Sequence, residues 1–222
     1  MLKKVLHVVA LVLVAGGAVG VAQAQAPRDG IYITDEEIKA VLKFAADTKR
    51  TIPDNTIRVI DMGTYQLGVA VIHRGRLGGG ANAAAAGRGA APTPAPAPNP
   101  QPACGEARTG AKGPNGLYHD DTAETYVVIS GAATLITGGT IVNGRRSAAD
   151  SEVTTILNGP SCSGTMVGFT TRDVKTGDII VIPEGVPHGF AAVPDHVTYL
   201  SVRPDLKKVL QRGYVNPGLK AR

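Results

Sequence analysis

The chain has 222 residues, 43% of them apolar and 18% charged, which excludes a disordered polar chain and suits one domain, or a tight pair, with a sizeable core. Aromatic residues make up only 4% and there is no Trp, which argues against a surface that stacks single-stranded nucleic-acid bases. The formal net charge of +5 overstates the basic character, because Lys3 and Lys4 fall in a removable leader and the remainder carries +3 with no dense basic run.

That leader comes first. "MLKK" is a short basic start, "VLHVVALVLVAGGAVGV" is an apolar stretch, and "AQA" at Ala22 to Ala24 offers the small residues that a signal peptidase reads. Residues 1–24 are therefore predicted to be a secretory signal peptide, cut after Ala24, since a cut after Ala26 would leave Pro27 first. A membrane anchor ranks second, because the apolar run is short, diluted by Gly and Ala, and followed by a cleavage-like site. The expected location is periplasmic or secreted.

Residues 25–55 are predicted to form a helical arm. Thr34 to Ala46 reads "TDEEIKAVLKFAA", with Thr34 and Glu37 in a capping box and Ile38, Val41, Leu42 and Ala45 on one apolar face. From Thr56 to Pro204 the texture is many short β-rich segments bounded by Gly, including "YQLGVAVIHRG", "ETYVVISG", "AATLITGG", "TIVNG" and "HVTYLSVRP". This predicts an all-β fold, a sandwich or a barrel. Ile179 to Ile182, "IIVI", reads as a buried strand. Gly78 to Ala103 is almost wholly Gly, Ala and Pro and is predicted to be a mobile insertion within that one domain. "DLKKVLQ", from Asp205, reads as helix again, so residues 205–222 are expected to form a C-terminal helix and tail.

Two cysteines, Cys104 and Cys162, lie in loop-like sequence with no zinc-finger spacing around either. An even pair in an exported protein predicts a Cys104–Cys162 disulfide.

Chemistry gathers in two stretches. In "GDIIVIPEGVPHGF" an apolar run is broken by Pro183 and Gly185, after which His188 enters a new strand in phase with Phe190 and Ala192. In "YHDDTAETYVVISG" His119 precedes a strand that Glu124 begins, with Glu124, Tyr126 and Val128 on one face by the two-residue period. Asp120 and Asp121 suit a turn, and His196 a turn before the last strand.

These two stretches resemble the paired motifs of the cupin superfamily, in particular its single-domain bacterial members. Gly177, Pro183, Gly185 and His188 match the second motif, although Ala192 stands where an Asn is usual. Glu124 and Gly131 match the end of the first motif, and His119 its second His. Leu117 occupies the place of the first His; a variant register makes His119 the first and Asp121 the second, with a shorter spacer. The resemblance implies a single jelly-roll β-barrel whose motif residues face a central pocket. It implies a divalent metal (Fe, Mn, Zn, Ni or Cu) held by His119, Glu124 and His188, with His73, Asp121, Tyr126 and Phe190 as pocket candidates and His73 the outside candidate for the missing ligand.

Two functions follow as expectations. One is a metal-dependent enzyme on a small polar molecule, a dioxygenase, isomerase or lyase. The other is a non-catalytic module that binds a metal or small ligand. The expected partner is a small molecule, with no nucleic acid, no membrane anchor after leader cleavage, and a homodimer as the assembly the sequence allows.

Overall fold

A computed structural model describes residues 26–77 and 101–220. The leader, the Gln25 start and most of the Gly/Ala/Pro-rich insertion lie outside these residues. Eleven strands run antiparallel: β1 (Asp54–Asp61), β2 (Gln66–Arg74), β3 (Ala103–Cys104), β4 (Asn115–His119), β5 (Glu124–Thr137), β6 (Thr140–Arg146), β7 (Ser161–Val167), β8 (Thr170–Lys175), β9 (Ile179–Ile182), β10 (His188–Ala192) and β11 (Val197–Asp205). Helix α1 spans Asp35–Asp47 and α2 Pro217–Lys220. The all-β jelly-roll expectation is met. No helix among the described residues is long and apolar enough to cross a membrane.

β5 organises the two layers. Its first half pairs with β11 and β9, its second half with β10 and β8, so one 14-residue strand belongs to both sheets. The sequence reads as two strands there, and Gly131 joins them. Gly131 sits at φ +78°, and a Cβ on it would fall 2.0 Å from the His196 carbonyl oxygen. Only glycine takes that bend at that approach. Beyond β11 the first sheet continues to β2 and β1; beyond β10 the second continues to β4, β7, β6 and β3.

The main core lies between the layers and draws on both: Ala70 and Ile72 of β2, Tyr126 and Val128 of β5, Phe190 of β10 and Tyr199 of β11. The alternation that faces these residues inward sends Val71 and Leu200 to the outer face, where Ile38, Val41 and Leu42 of α1 cover them. The capping box forms as expected: the Thr34 side chain accepts from the Glu37 amide (3.3 Å) and Glu37 accepts from the Thr34 amide (3.4 Å). Loss of such a cap costs about 1 kcal/mol. Glu37 also pairs with Arg58, which pins the helix to β1.

Three expectations change. The segment from Asp205 is not a helix: Asp205 ends β11, and its buried carboxylate accepts the Val209 (3.1 Å) and Leu210 (2.8 Å) amides, while Lys208 at φ 55° breaks any helical path. The chain then runs beside β1, with the Asn216 side chain donating to the Thr56 carbonyl, and the short C-terminal helix forms only at Pro217. Ile179 to Ile182 is a strand but not a buried one: it pairs on one side only, to β5, leaving Ile179 66% and Val181 67% exposed. The barrel starts at Asp54 rather than Thr56 and ends at Asp205 rather than Pro204, and Ala103 belongs to β3 rather than to the insertion.

Cys104 and Cys162 are bonded, with Cα atoms 6.1 Å apart, and staple β3 to β7.

Candidate metal centre

His119 closes β4, Glu124 opens β5 and His188 opens β10. The turn through Pro183 and Gly185 is what aims His188. Gly185, at φ +72°, donates its amide to the His119 carbonyl (2.8 Å), and Val186 donates to the Pro183 carbonyl (3.3 Å). The tight bend therefore fixes the second ligand segment directly onto the first.

All three side chains are buried, and their ligating atoms lie within 4.8 Å of one another. His119 Nε2 and His188 Nε2 stand 3.2 and 3.0 Å from the same carboxylate oxygen, Glu124 Oε2. Atoms that share an ion at about 2.1 Å, at angles of about 90° to 110°, are separated by about 3.0 to 3.4 Å. The donor set therefore fits a divalent ion.

Hydrogen bonds fix each ring. Ser161 Oγ donates to the Gly159 carbonyl (2.8 Å), so it accepts from His119 Nδ1 (2.7 Å). The Val186 carbonyl can only accept, so His188 Nδ1 carries the hydrogen of that 2.9 Å contact. With Nδ1 as the donor, each Nε2 is turned on Glu124, and His119 Nε2 also accepts from Asn158 Nδ2 (3.1 Å).

Glu124 is held by a dense polar cage. Its Oε1 accepts from Arg203 Nε (2.8 Å), Ser201 Oγ (2.9 Å) and Asn158 Nδ2 (3.2 Å); its Oε2 accepts from the Tyr126 hydroxyl (2.9 Å). Burial alone would raise the carboxyl pKa, but Arg203 and His119 outweigh it and hold Glu124 well below the usual carboxylate range. Burial lowers the pKa of His119, favouring the neutral ring. Burial and Glu124 push the Tyr126 phenol well above its ordinary value. Arg203 in turn donates to both oxygens of Asp54 (3.2 and 2.6 Å) and to the Leu157 carbonyl (3.0 Å). Asn158 reaches the site from the end of a π-helical turn, Val153–Leu157, closed by its own amide on the Val153 carbonyl (2.9 Å).

Beside the trio opens a cavity of about 720 Å³, lined among others by Arg74, Leu117, Tyr126, Phe190 and Tyr199. Tyr126 and Phe190 are thus part of its lining. His73 is not: it is exposed, bonds Thr198 through Nδ1 (2.8 Å) and stacks on His196. On β2 the inward residues are Ala70, Ile72 and Arg74, so parity turns His73 outward. Asp121 pairs with Lys207 and Asp120 with Arg146, away from the trio. The sequence reading missed Asp54, Asn158, Ser161, Ser201 and Arg203. An available signal was Arg203, a charge within a strand at the same parity as Tyr199 and Ser201.

No family model and no curated protein matches the chain. Among solved structures it is similar to a Bacillus halodurans protein solved at 1.41 Å (13% identity, TM-score 0.37, covering 90% of this chain and 100% of the other). It is also similar to cobalt(II) HppE in complex with Tris buffer (13%, 0.27, covering 66% and 52%) and to recombinant oxalate oxidase in complex with glycolate (13%, 0.28, covering 69% and 52%). The chain spans about half the length of the latter two, and all three TM-scores lie below 0.5.

Proposed function

We propose that the protein is an exported cupin that binds one divalent metal through His119, Glu124 and His188 and acts as a metal-dependent enzyme on a small polar molecule in the adjoining cavity. One observation carries the reading: two imidazole Nε2 atoms, each ring locked in place by an oxygen acceptor behind it, converge on one carboxylate oxygen. Three electron-rich atoms at this spacing repel one another unless a proton or a metal ion lies between them, and the trio is arranged to take either. A metal bound there would polarise an oxygen of the small molecule. The chain's own residues hold the ligands still: Ser161 and Val186 orient the rings, and Arg203, Ser201, Asn158 and Tyr126 orient the carboxylate. Export is supported by the leader-like residues 1–24 and by the Cys104–Cys162 bridge, a bond that persists in oxidising compartments.

The test is metal analysis of protein dialysed against Mn²⁺, Fe²⁺, Zn²⁺, Ni²⁺ or Cu²⁺ in turn. One equivalent bound by the wild type, and most of it lost in His188→Ala, is the expected result. No bound ion with any of the five, or equal binding by the variant, would overturn the metal reading.

A second reading is a binding module without turnover. It is favoured by the absence, among the described residues, of an unengaged base in the cavity: Asp54 is committed to Arg203, and Tyr126 donates to Glu124. An oxygen-consumption and product screen of the metal-loaded protein separates the two readings.

A further inference from the structure

We propose that Arg74 anchors a carboxylate, so that the molecule taken by the cavity is a small organic carboxylate. The inference rests on the metal reading for its second contact, but the anchor itself is built from other residues.

Four arginines line the cavity. Arg203 is saturated by Glu124, Asp54 and the Leu157 carbonyl. Arg146 is paired with Asp120. Arg145 is exposed at the rim. Arg74 is different. It ends β2 in phase with the core residues Ala70 and Ile72, and its side chain is fixed by neutral groups. Nε donates to the Tyr199 hydroxyl (3.3 Å), and Cζ lies 5.2 Å from the centre of the Phe190 ring. Among the described residues no carboxylate stands within ion-pair distance of it and no acceptor bonds its two terminal amino groups.

A guanidinium held by one tyrosine hydroxyl and one aromatic ring keeps its planar fork oriented, and its terminal edge carries two parallel N–H groups. That geometry matches the two coplanar oxygens of a carboxylate. The group stays charged, because an arginine guanidinium keeps its proton in a protein. Arg74 is half-buried, and a partly desolvated cation without a counter-ion favours an anionic ligand there. The wall between Arg74 and the trio is aromatic. Tyr199 contacts Tyr126 at 4.4 Å between ring centres, and Tyr126 contacts His188 at 6.2 Å. A molecule with its carboxylate on Arg74 lies along these rings and turns its other end toward His119, Glu124 and His188.

The experiment titrates zinc-loaded protein with acetate, succinate and benzoate, with dimethyl succinate and inorganic phosphate as controls, by calorimetry. Zinc content is measured on the same samples. At least one of the three carboxylates should bind, the diester should not, and Arg74→Gln should weaken binding by about tenfold or more with zinc still at one equivalent. Arg74→Lys, which keeps the charge but not the fork, should recover only part of the loss. Failure of all three carboxylates to bind, equal binding by Arg74→Gln, or Arg74-dependent binding of phosphate tighter than any carboxylate would overturn the proposal. The two readings fail separately. Zinc at one equivalent without carboxylate binding sinks the anchor alone. Arg74-dependent carboxylate binding to protein that takes up none of the five ions sinks the metal reading alone.

Discussion

Leu117 lies directly opposite His188 on the β4–β10 ladder, and both line the same cavity. Leu117 also shares a face of β4 with His119, two residues on. A fourth ligand placed at Leu117 would therefore face the same cavity as the trio, but the position carries an aliphatic side chain.

Leu117→His should complete that fourth corner. Loss of a group that merely supports a metal ligand costs about 10- to 100-fold in affinity, so a new direct ligand should tighten zinc binding by about tenfold or more. Competition against a chromophoric chelator reads this out. Unchanged affinity would mean that the Leu117 position does not face the ion.

Arg203→Met should be severely destabilising. It leaves Glu124 and Asp54 as buried carboxylates without their cation, and breaking a buried pair in this way costs about 3–5 kcal/mol. Urea denaturation of metal-free protein at pH 7 gives the value. A loss below about 1 kcal/mol would place the guanidinium in solvent.

The metal-free protein should lose stability on acidification in two stages. Burial depresses the folded pKa of His119 below its ordinary 6.5, so the unfolded chain takes up that proton first and stability falls as the pH drops below about 6.5. Glu124, held well below 4.5 chiefly by Arg203 against its burial, contributes stability that is present above about pH 4.5 and lost as the pH falls toward its folded value. His119→Asn should flatten the upper stage and Glu124→Gln the lower. Urea melts in EDTA across pH 3 to 8 check both.

Reduction of Cys104–Cys162 should lower stability by about 4 kcal/mol, the chain-entropy value for a separation of 58 residues. Calorimetry with and without reductant, alongside the Cys104→Ala/Cys162→Ala double variant, measures it. A melting temperature indifferent to reductant would show that the bridge adds nothing to the pairing of β3 with β6 and of β6 with β7.

What the sequence made legible was local. The Thr34/Glu37 cap, the glycine-bounded strands and the Pro183–Gly185 bend each declare themselves within a few residues. His119, Glu124 and His188 were legible because turn and ligand sit side by side in the chain. The cage around Glu124 was not, since Ser201 and Arg203 come from 77 and 79 residues away and Asp54 reaches Arg203 across 149. No local pattern encodes such pairing. His73 misled because a lone imidazole on a strand draws attention, whereas parity gives the inward place to Arg74. The Asp205 segment misled because its helix-like spacing of apolar residues is shared by a turn that folds over a buried carboxylate.

The bond from the Gly185 amide to the His119 carbonyl has a kinetic consequence. An ion bound as proposed would be enclosed by this turn, because the segment that carries His188 and Val186, the acceptor behind its ring, is tied to the strand end that carries His119. Release then waits on opening of the Pro183–Val186 turn. The exchange rate of the Gly185 amide hydrogen and the dissociation rate of the ion should therefore share one temperature dependence.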